Sequence, residues 1–441
     1  MDYTEDINSL PMKLIINKTE RLDGSIIPPS SKSQTIRALI LATLAKGRSI
    51  LINPLESDDT RGAIDVCRGL GAKITSENNS LIVESNGVPL NVISKKLYAQ
   101  NSGITTRFIM PVLGLRANFD EEIILDCGEQ MKQRPLKSLI DALQTLGMNI
   151  TSQSGHCPLK ISGQLQGGKV EADGTTSQYV SALLLSACYA KNDMEIHVKN
   201  LNERPYVDIT LAWLGEQGIN YSHEQIENED VYRVKAEQEY HAFTKQISVD
   251  FSSLSYPLAA ACMVPGEVVL KGIDINEQQG DKRLIYILQD MGADIEIREN
   301  ELVIHGGKPL QGKIIDANDI PDMVPTLAVL GTYAEGKTEI VNVPQARIKE
   351  TDRIHSMATE LQKMGAKIEE REDGLIVEKS YLYGSVLHGY QDHRTIMSLS
   401  LAGMIAEGDT IIDTAEEISK TFPDYVEVMQ QLGAKIERKP N

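Results

Sequence analysis

One phrase recurs six times along this chain: Leu70-Gly71-Ala72-Lys73-Ile74, Leu146-Gly147-Met148-Asn149-Ile150, Gln217-Gly218-Ile219, Met291-Gly292-Ala293-Asp294-Ile295, Met364-Gly365-Ala366-Lys367-Ile368 and Leu432-Gly433-Ala434-Lys435-Ile436. Its glycines are separated by 76, 71, 74, 73 and 68 residues. A near-constant period of this length marks a repeated supersecondary unit, whose apolar face is buried by stacking on neighbouring copies. In each copy the phrase reads as the end of an amphipathic helix, with Gly taking the left-handed turn. An alternating strand follows, as over residues 74–83 and 368–377. Upstream lies a second helix, rich in Ala and Leu, such as the one carrying Ile36, Leu39, Ile40 and Leu44, stopped by Gly47 and followed by the Ile50/Ile52 strand. The same order recurs before Gly266, Gly336 and Gly408. The unit therefore reads helix, strand, helix, strand, with one or two further short strands.

Grouped three and three, the copies make two similar domains, as a chain of 441 residues favours. The boundary falls near residues 246–250. Residues 12–16 and 24–27 read as strands that precede the first repeat's helix and pair with the C-terminal half. The expected division is residues 1–30 plus 248–441 for one domain and 31–247 for the other.

Composition narrows the class of function. The net charge is −18, which argues against nucleic acid or an anionic membrane as the main partner, because both reward a basic surface. No apolar run is long enough to span a bilayer, and residues 1–10 are acidic and lack a signal-peptide core, so a cytoplasmic location is expected. Five cysteines at scattered spacings, of which Cys67, Cys188 and Cys262 fall in apolar helical patterns, read as buried thiols. No CxxC, HExxH or His-rich cluster points to a metal.

Any anion site must then be locally concentrated, and the helix starts are where to look. A helix N-terminus offers unpaired N–H groups and a partial positive charge. The six apolar helices begin at Lys32-Ser33, Asn101-Ser102-Gly103, Thr176-Ser177-Gln178, Ser252-Ser253, Pro321-Asp322 and Asp392-His393-Arg394. Capping explains the Ser, Thr, Asn and Asp, but not the basic residues or the Gln. A second set precedes the helices that end in the repeated Gly: Asp58-Asp59, Lys132-Gln133-Arg134-Pro135, Arg204-Pro205-Tyr206, Gln278-Gln279-Gly280-Asp281, Lys349-Glu350-Thr351-Asp352-Arg353 and Lys420-Thr421-Phe422-Pro423-Asp424. Arg suits bidentate binding of carboxylate and phosphate, and Lys serves as a compact charge or proton carrier. Residues 331–338 fit GxxxxGK[ST], yet an apolar helix precedes them and a strand follows, the reverse of a nucleotide-binding P-loop.

At these residues the chain resembles the 5-enolpyruvylshikimate-3-phosphate synthase family over essentially its whole length. The motifs, in order, are Ser31-Lys32-Ser33 with Arg37, Asn101-Ser102-Gly103 with Arg107, Lys132-Gln133-Arg134-Pro135, Ser177-Gln178, Arg204-Pro205-Tyr206-Val207-Asp208, Gln279-Gly280-Asp281, Asn318-Asp319-Ile320-Pro321-Asp322, Arg347-Ile348-Lys349-Glu350-Thr351-Asp352-Arg353, Asp392-His393-Arg394 and Lys420-Thr421-Phe422-Pro423-Asp424. The resemblance implies an α/β (α+β) fold of two domains, each of three βαβαββ-type repeats, an inside-out α/β barrel with the active site in the cleft between domains. It implies transfer of the enolpyruvyl group of phosphoenolpyruvate to the 5-hydroxyl of shikimate 3-phosphate, with release of phosphate, on the route to chorismate and the aromatic amino acids. No metal or organic cofactor is needed in that reaction, and a monomer is expected. By motif, Asp322 is the base near the acceptor hydroxyl, and Lys32 and Glu350 handle protons at the enolpyruvyl carbon. Lys32, Gly103, Arg134, Gln178, Arg353, Arg394 and Lys420 match the phosphoenolpyruvate positions. Ser33, Arg37, Thr176, Ser177, Gln178, Asp322, Gln345 and Lys349 match the shikimate 3-phosphate positions, with Ser33 and Arg37 on its carboxylate and Thr176 and Ser177 on its phosphate. Contributions from both domains imply an open apo form and a closed ternary form.

Three residues depart from the family pattern. Glu203 replaces a phosphate-binding Ser, and a carboxylate there should repel a phosphate. Gln345-Ala346 replaces Asn-Trp, and Ile104 replaces Thr beside Gly103. The rival readings are an enolpyruvyl transferase with an altered acceptor, the sister enzyme that uses UDP-N-acetylglucosamine, and a non-catalytic anion-binding repeat protein. Ser33 in place of Asn after Lys32 speaks against the second, and joint retention of Lys32, Asp322 and Glu350 against the third.

Overall fold

The computed structural model describes residues 11–441, so the acidic start at residues 1–10 lies outside the described residues. The repeated phrase forms the same turn in all six copies. Each of its glycines has positive φ, between 70° and 103°. Gly71 N–H bonds to the Arg68 carbonyl and Ala72 N–H to the Cys67 carbonyl, a Schellman closure that recurs at Gly147, Gly218, Gly292, Gly365 and Gly433. A side chain three residues before the glycine clamps the turn from outside. Gln144, Gln289, Gln362 and Gln430 donate to the carbonyls of Ile150, Ile295, Ile368 and Ile436 at 2.6–3.0 Å, and Arg68 does the same to Ile74. The outgoing strand is thus fixed against the helix it has just left.

Six four-stranded sheets result, all with one order: a parallel pair, then two antiparallel neighbours. Lys96–Tyr98 runs parallel to Ile123–Asp126, which pairs antiparallel with His156–Ser162 and through it with Asn149–Gln153. With helices Gly103–Val112 and Lys137–Thr145 interposed, this copy is βαβαββ as expected. The sheets stay separate, and no closed barrel forms among the described residues. The order helix Val324–Tyr333 then strand Lys337–Val341 rules out a P-loop at residues 331–338.

The described chain divides into two compact units, residues 11–29 with 248–441 and residues 30–247. In the first, strand Met12–Ile16 lies between Thr410–Ile412 and Ile436–Pro440, and Gly24–Ile26 pairs with Gly266–Lys271. The early strands do complete sheets of the C-terminal half. In the second, Thr244–Gln246 returns to pair with Lys46–Ile52 of the first repeat.

Each unit is centred on three helices apolar all round, a pattern that marks helices enclosed on every side. They are Lys32–Leu44, Gly103–Val112 and Ser177–Ala187 in one unit, and Phe251–Met263, Val324–Tyr333 and His393–Ile405 in the other. Every residue of Phe251–Met263 is buried. The Ser255, Thr326 and Ser398 hydroxyls meet in succession at 3.3 Å, which aligns the three helices near their N-termini. All five cysteines are free and buried. No helix among the described residues is long and apolar enough to cross a membrane.

Candidate active site

In residues 30–247 the helix starts are capped as their residues dictate. The Ser31, Ser102 and Thr176 hydroxyls accept from the N–H groups of Gln34, Thr105 and Gln178. Capping orients the side chains of the first turn. Lys32 reaches the Asp59 carboxylate at 2.8 Å, and Asp59 is held by the first turn of Asp58–Gly69, where Ser57 and Thr60 form a capping box. Arg37 is buried, with Nε on the Thr210 hydroxyl and NH2 on the Tyr206 carbonyl at 2.9 Å; NH1 donates to the Ser33 hydroxyl. Burial pulls the Arg37 guanidinium down to about 9, still charged at neutral pH. Its role at rest is to hold Ser33 and the Arg204–Glu216 helix together.

Gly103 leaves room for two guanidiniums, which would have to shift if a side chain stood there. A Cβ there would lie 2.7 Å from a guanidinium nitrogen of Arg107 and 2.7 Å from one of Arg134. Arg107 donates to Gln178 Oε1 at 2.8 Å and stacks over Tyr179. Gly103, Arg134, Gln178 and Arg107 therefore form one cationic group lined with an amide. Ile104, beside it, is buried. Ser177 donates through its backbone N–H (3.2 Å) and its hydroxyl (2.8 Å) to one oxygen of Glu203, and the Thr176 hydroxyl donates to the same oxygen at 3.4 Å. The carboxylate expected to repel a phosphate is seated on the groups expected to bind it.

The other unit gathers a denser set. Arg353, at the start of helix Arg353–Lys363, is 1% exposed and meets three carboxylates: Asp392 at 2.7 Å, Asp322 at 2.7 Å and Glu350 at 2.5 Å. Arg394 meets the second Asp322 oxygen at 2.8 Å. Asp392 also caps helix His393–Ile405 by accepting from Arg394 N–H. Burial alone would raise Asp322, but Arg394, Arg353 and Lys349 outweigh it and hold the carboxyl well below the usual carboxylate range. Burial likewise opposes the Arg353 charge, while Asp392, Glu350 and Asp322 hold that guanidinium above its ordinary value. Lys420, buried, pairs with Glu417. Gln345 donates to the Asn318 carbonyl at 2.8 Å, and its buried Oε1 has no hydrogen-bond partner among the described residues, so it is an acceptor suited to a hydroxyl.

Lys32, Arg353, Arg394 and Lys420 thus rest on carboxylates. Of these partners, Asp59, Asp392 and Glu417 carried no assigned role in the sequence, nor did Arg107. A preorganised cation held by an exchangeable carboxylate can pass to an incoming phosphate or carboxylate without leaving a buried charge unpaired. Among the described residues no group of three His, Cys, Asp or Glu side chains could hold a metal ion.

Residues 16–429 match the family model of EPSP synthase (3-phosphoshikimate 1-carboxyvinyltransferase). The chain is 43% identical over 429 residues to the 3-phosphoshikimate 1-carboxyvinyltransferase of Acetivibrio thermocellus, covering 96% of this chain and 99% of that protein. It is 39% identical to the enzyme of the same name from Methanocaldococcus jannaschii, covering 97% and 99%. Among solved structures, an EPSP synthase from Acinetobacter baumannii superposes with a TM-score of 0.81 at 24% identity, covering 97% of this chain and all of that one. At that identity the superposition speaks to the fold alone.

Proposed function

The chain belongs to the EPSP synthase family, and from that premise we propose that it transfers the enolpyruvyl group of phosphoenolpyruvate to the 5-hydroxyl of shikimate 3-phosphate through the residues described above. The observation that carries the assignment of roles is the cluster in which Asp322, Glu350 and Asp392 meet on Arg353 and Asp322 also meets Arg394. The acceptor oxygen bonds to C2 of phosphoenolpyruvate as C3 gains a proton and the hydroxyl loses one. The tetrahedral intermediate then loses phosphate from C2 and a proton from C3. Two proton transfers of opposite sense need separate acid and base groups. Asp322 takes the hydroxyl proton; Lys32 and Glu350 manage the proton at C3.

Asp322 is a weak base at rest, since two guanidiniums stabilise its charge. When the phosphate and carboxylate of phosphoenolpyruvate claim Arg353 and Arg394, that stabilisation is shared out and the basicity of Asp322 rises. The base is thereby switched on by the substrate it must wait for. Arg134, Gln178 and Lys420 complete the counter-charge and hydrogen bonding for phosphoenolpyruvate, with Gly103 leaving room for the Arg134 guanidinium. Thr176 and Ser177 take the acceptor's phosphate, Ser33 and Arg37 its carboxylate, and Gln345 and Lys349 its ring hydroxyls. We place the enzyme in the cytoplasm as a monomer; its five free buried thiols suit a reducing compartment.

Phosphate release from phosphoenolpyruvate, measured with shikimate 3-phosphate, with unphosphorylated shikimate and with UDP-N-acetylglucosamine, tests the reading. Turnover is expected with the first, and its absence there overturns the proposed function.

A further inference from the structure

We propose that Glu203 is a built-in competitor for the acceptor's phosphate: its carboxylate occupies the Thr176/Ser177 donors at rest, and shikimate 3-phosphate binds by displacing it. This rests on the reading above that those two residues hold the phosphate. Three donors converge on one Glu203 oxygen, namely the Ser177 N–H, the Ser177 hydroxyl and the Thr176 hydroxyl. They stand at the N-terminus of helix Ser177–Ala187, where N–H groups and helix dipole favour an anion. A phosphate oxygen needs the same donors.

Two neighbours of Glu203 have carboxylate partners of their own. Arg204 is bidentate on Asp230 at 2.5 and 2.7 Å, and Asp230 also binds His223. Thr175 is turned to Asp173, and Asn202 N–H bonds to the Gly174 carbonyl. Glu203 itself has φ of 58°, in the left-handed region that disfavours side chains, and its side chain is buried. A non-glycine residue held in that region is over-determined by its surroundings. The surroundings here include the three donors that the carboxylate satisfies. A phosphate monoester carries up to two negative charges and three acceptor oxygens, so it and the carboxylate cannot share the seat without strong repulsion. The consequence is selective. Displacement weakens binding of an acceptor that carries the phosphate and leaves one without it untouched, which narrows the discrimination between the two.

Titration calorimetry of shikimate 3-phosphate and of unphosphorylated shikimate, against the unmodified protein, Glu203→Ser and Glu203→Gln, measures this. The Kd of shikimate 3-phosphate should fall about tenfold or more in Glu203→Ser, and by less in Glu203→Gln, while that of shikimate moves less than about twofold. Glu203→Gln keeps the shape and hydrogen-bonding reach, so it reports on charge even if the Ser variant folds poorly. A simple helix cap predicts the opposite: a lower melting temperature and an unchanged or weaker Kd for shikimate 3-phosphate, and that result overturns the proposal. The outcome is separate from the turnover assay. Failure of the unmodified enzyme to turn over shikimate 3-phosphate sinks the proposed function, whereas an unchanged ratio of the two dissociation constants sinks the competitor.

Discussion

Asp322 accepts from Arg353 on one oxygen and Arg394 on the other, so it is both counter-ion and proposed base. Those duties predict two kinetic effects that oppose each other in kcat/KM. Asp322→Ala should lower kcat by about 10²–10⁴ through loss of the base. It should also lower, not raise, KM for phosphoenolpyruvate, because one competitor for the two arginines is gone. Steady-state kinetics decide: near-normal kcat, or a raised KM, refutes the double role. On the other side of the motif set, Lys32→Met should remove a proton carrier and leave Asp59 buried beside an apolar chain, so kcat falls while the melting temperature drops by a few degrees. A variant with normal turnover would remove Lys32 from the chemistry. At this scale the sequence revealed residue types and not partners. Lys32 and Asp59 are 27 positions apart and pair through the folding of one repeat, whereas Arg353 and Asp392 are 39 apart and pair only because two repeats stack. Glu203 could be seen as out of place beside a phosphate, but its seat on Ser177 needed the turn at φ 58° to bring it there.

At the scale of elements, the six turns were legible because their physics is local. Gly at a left-handed position, an apolar residue before it and a strand after it can all be recognised within a dozen residues. The short parallel strands were harder. Lys96–Tyr98 and Thr244–Gln246 have three residues each, too few for a period of two to register, and they gain their place only by pairing with a remote strand. The clamp outside the turn is no more legible, since a polar residue near a helix end is ordinary until its partner carbonyl is known, and it yields a prediction. Five copies have Gln or Arg three residues before the Gly, but the third has Gly215. A Cβ at Gly215 would meet nothing within 4 Å, and the position is exposed near the end of helix Arg204–Glu216. Gly215→Gln should restore the missing bond, to the Tyr221 carbonyl, and remove a helix glycine. The combined gain is about 1–2 kcal/mol, read as a raised urea midpoint at unchanged slope. No gain would mean that the clamp contributes nothing. The reverse change, Gln362→Ala, should cost about 1 kcal/mol through loss of the bond to Ile368.

For the molecule as a whole, the repeat accounts for an unusual connectivity. The unit built from residues 11–29 and 248–441 is interrupted by more than 200 residues of the other unit, yet its chain nearly closes on itself. Asn441 N–H bonds to the Pro11 carbonyl at 3.0 Å, and Asp250 N–H to the Pro29 carbonyl at 2.8 Å. Its sheets take every strand from within the unit, including Met12–Ile16 and Gly24–Ile26 from the N-terminal segment. Its apolar core, from Leu14 and Ile16 through Phe251 to Ile436, is likewise drawn from its own residues. At about 200 residues it is large enough to support one core. Residues 30–247 should therefore be removable. Joining Pro29 to Ser248 through a short Gly/Ser linker spans a gap that the Pro29–Asp250 bond already keeps small. The product should unfold cooperatively in urea, with far-ultraviolet circular dichroism and tyrosine fluorescence changing together. It should be inactive, because Lys32, Arg134 and Gln178 are gone. A non-cooperative transition would show that this unit owes its fold to the residues removed, and that three stacked repeats do not suffice to stabilise it.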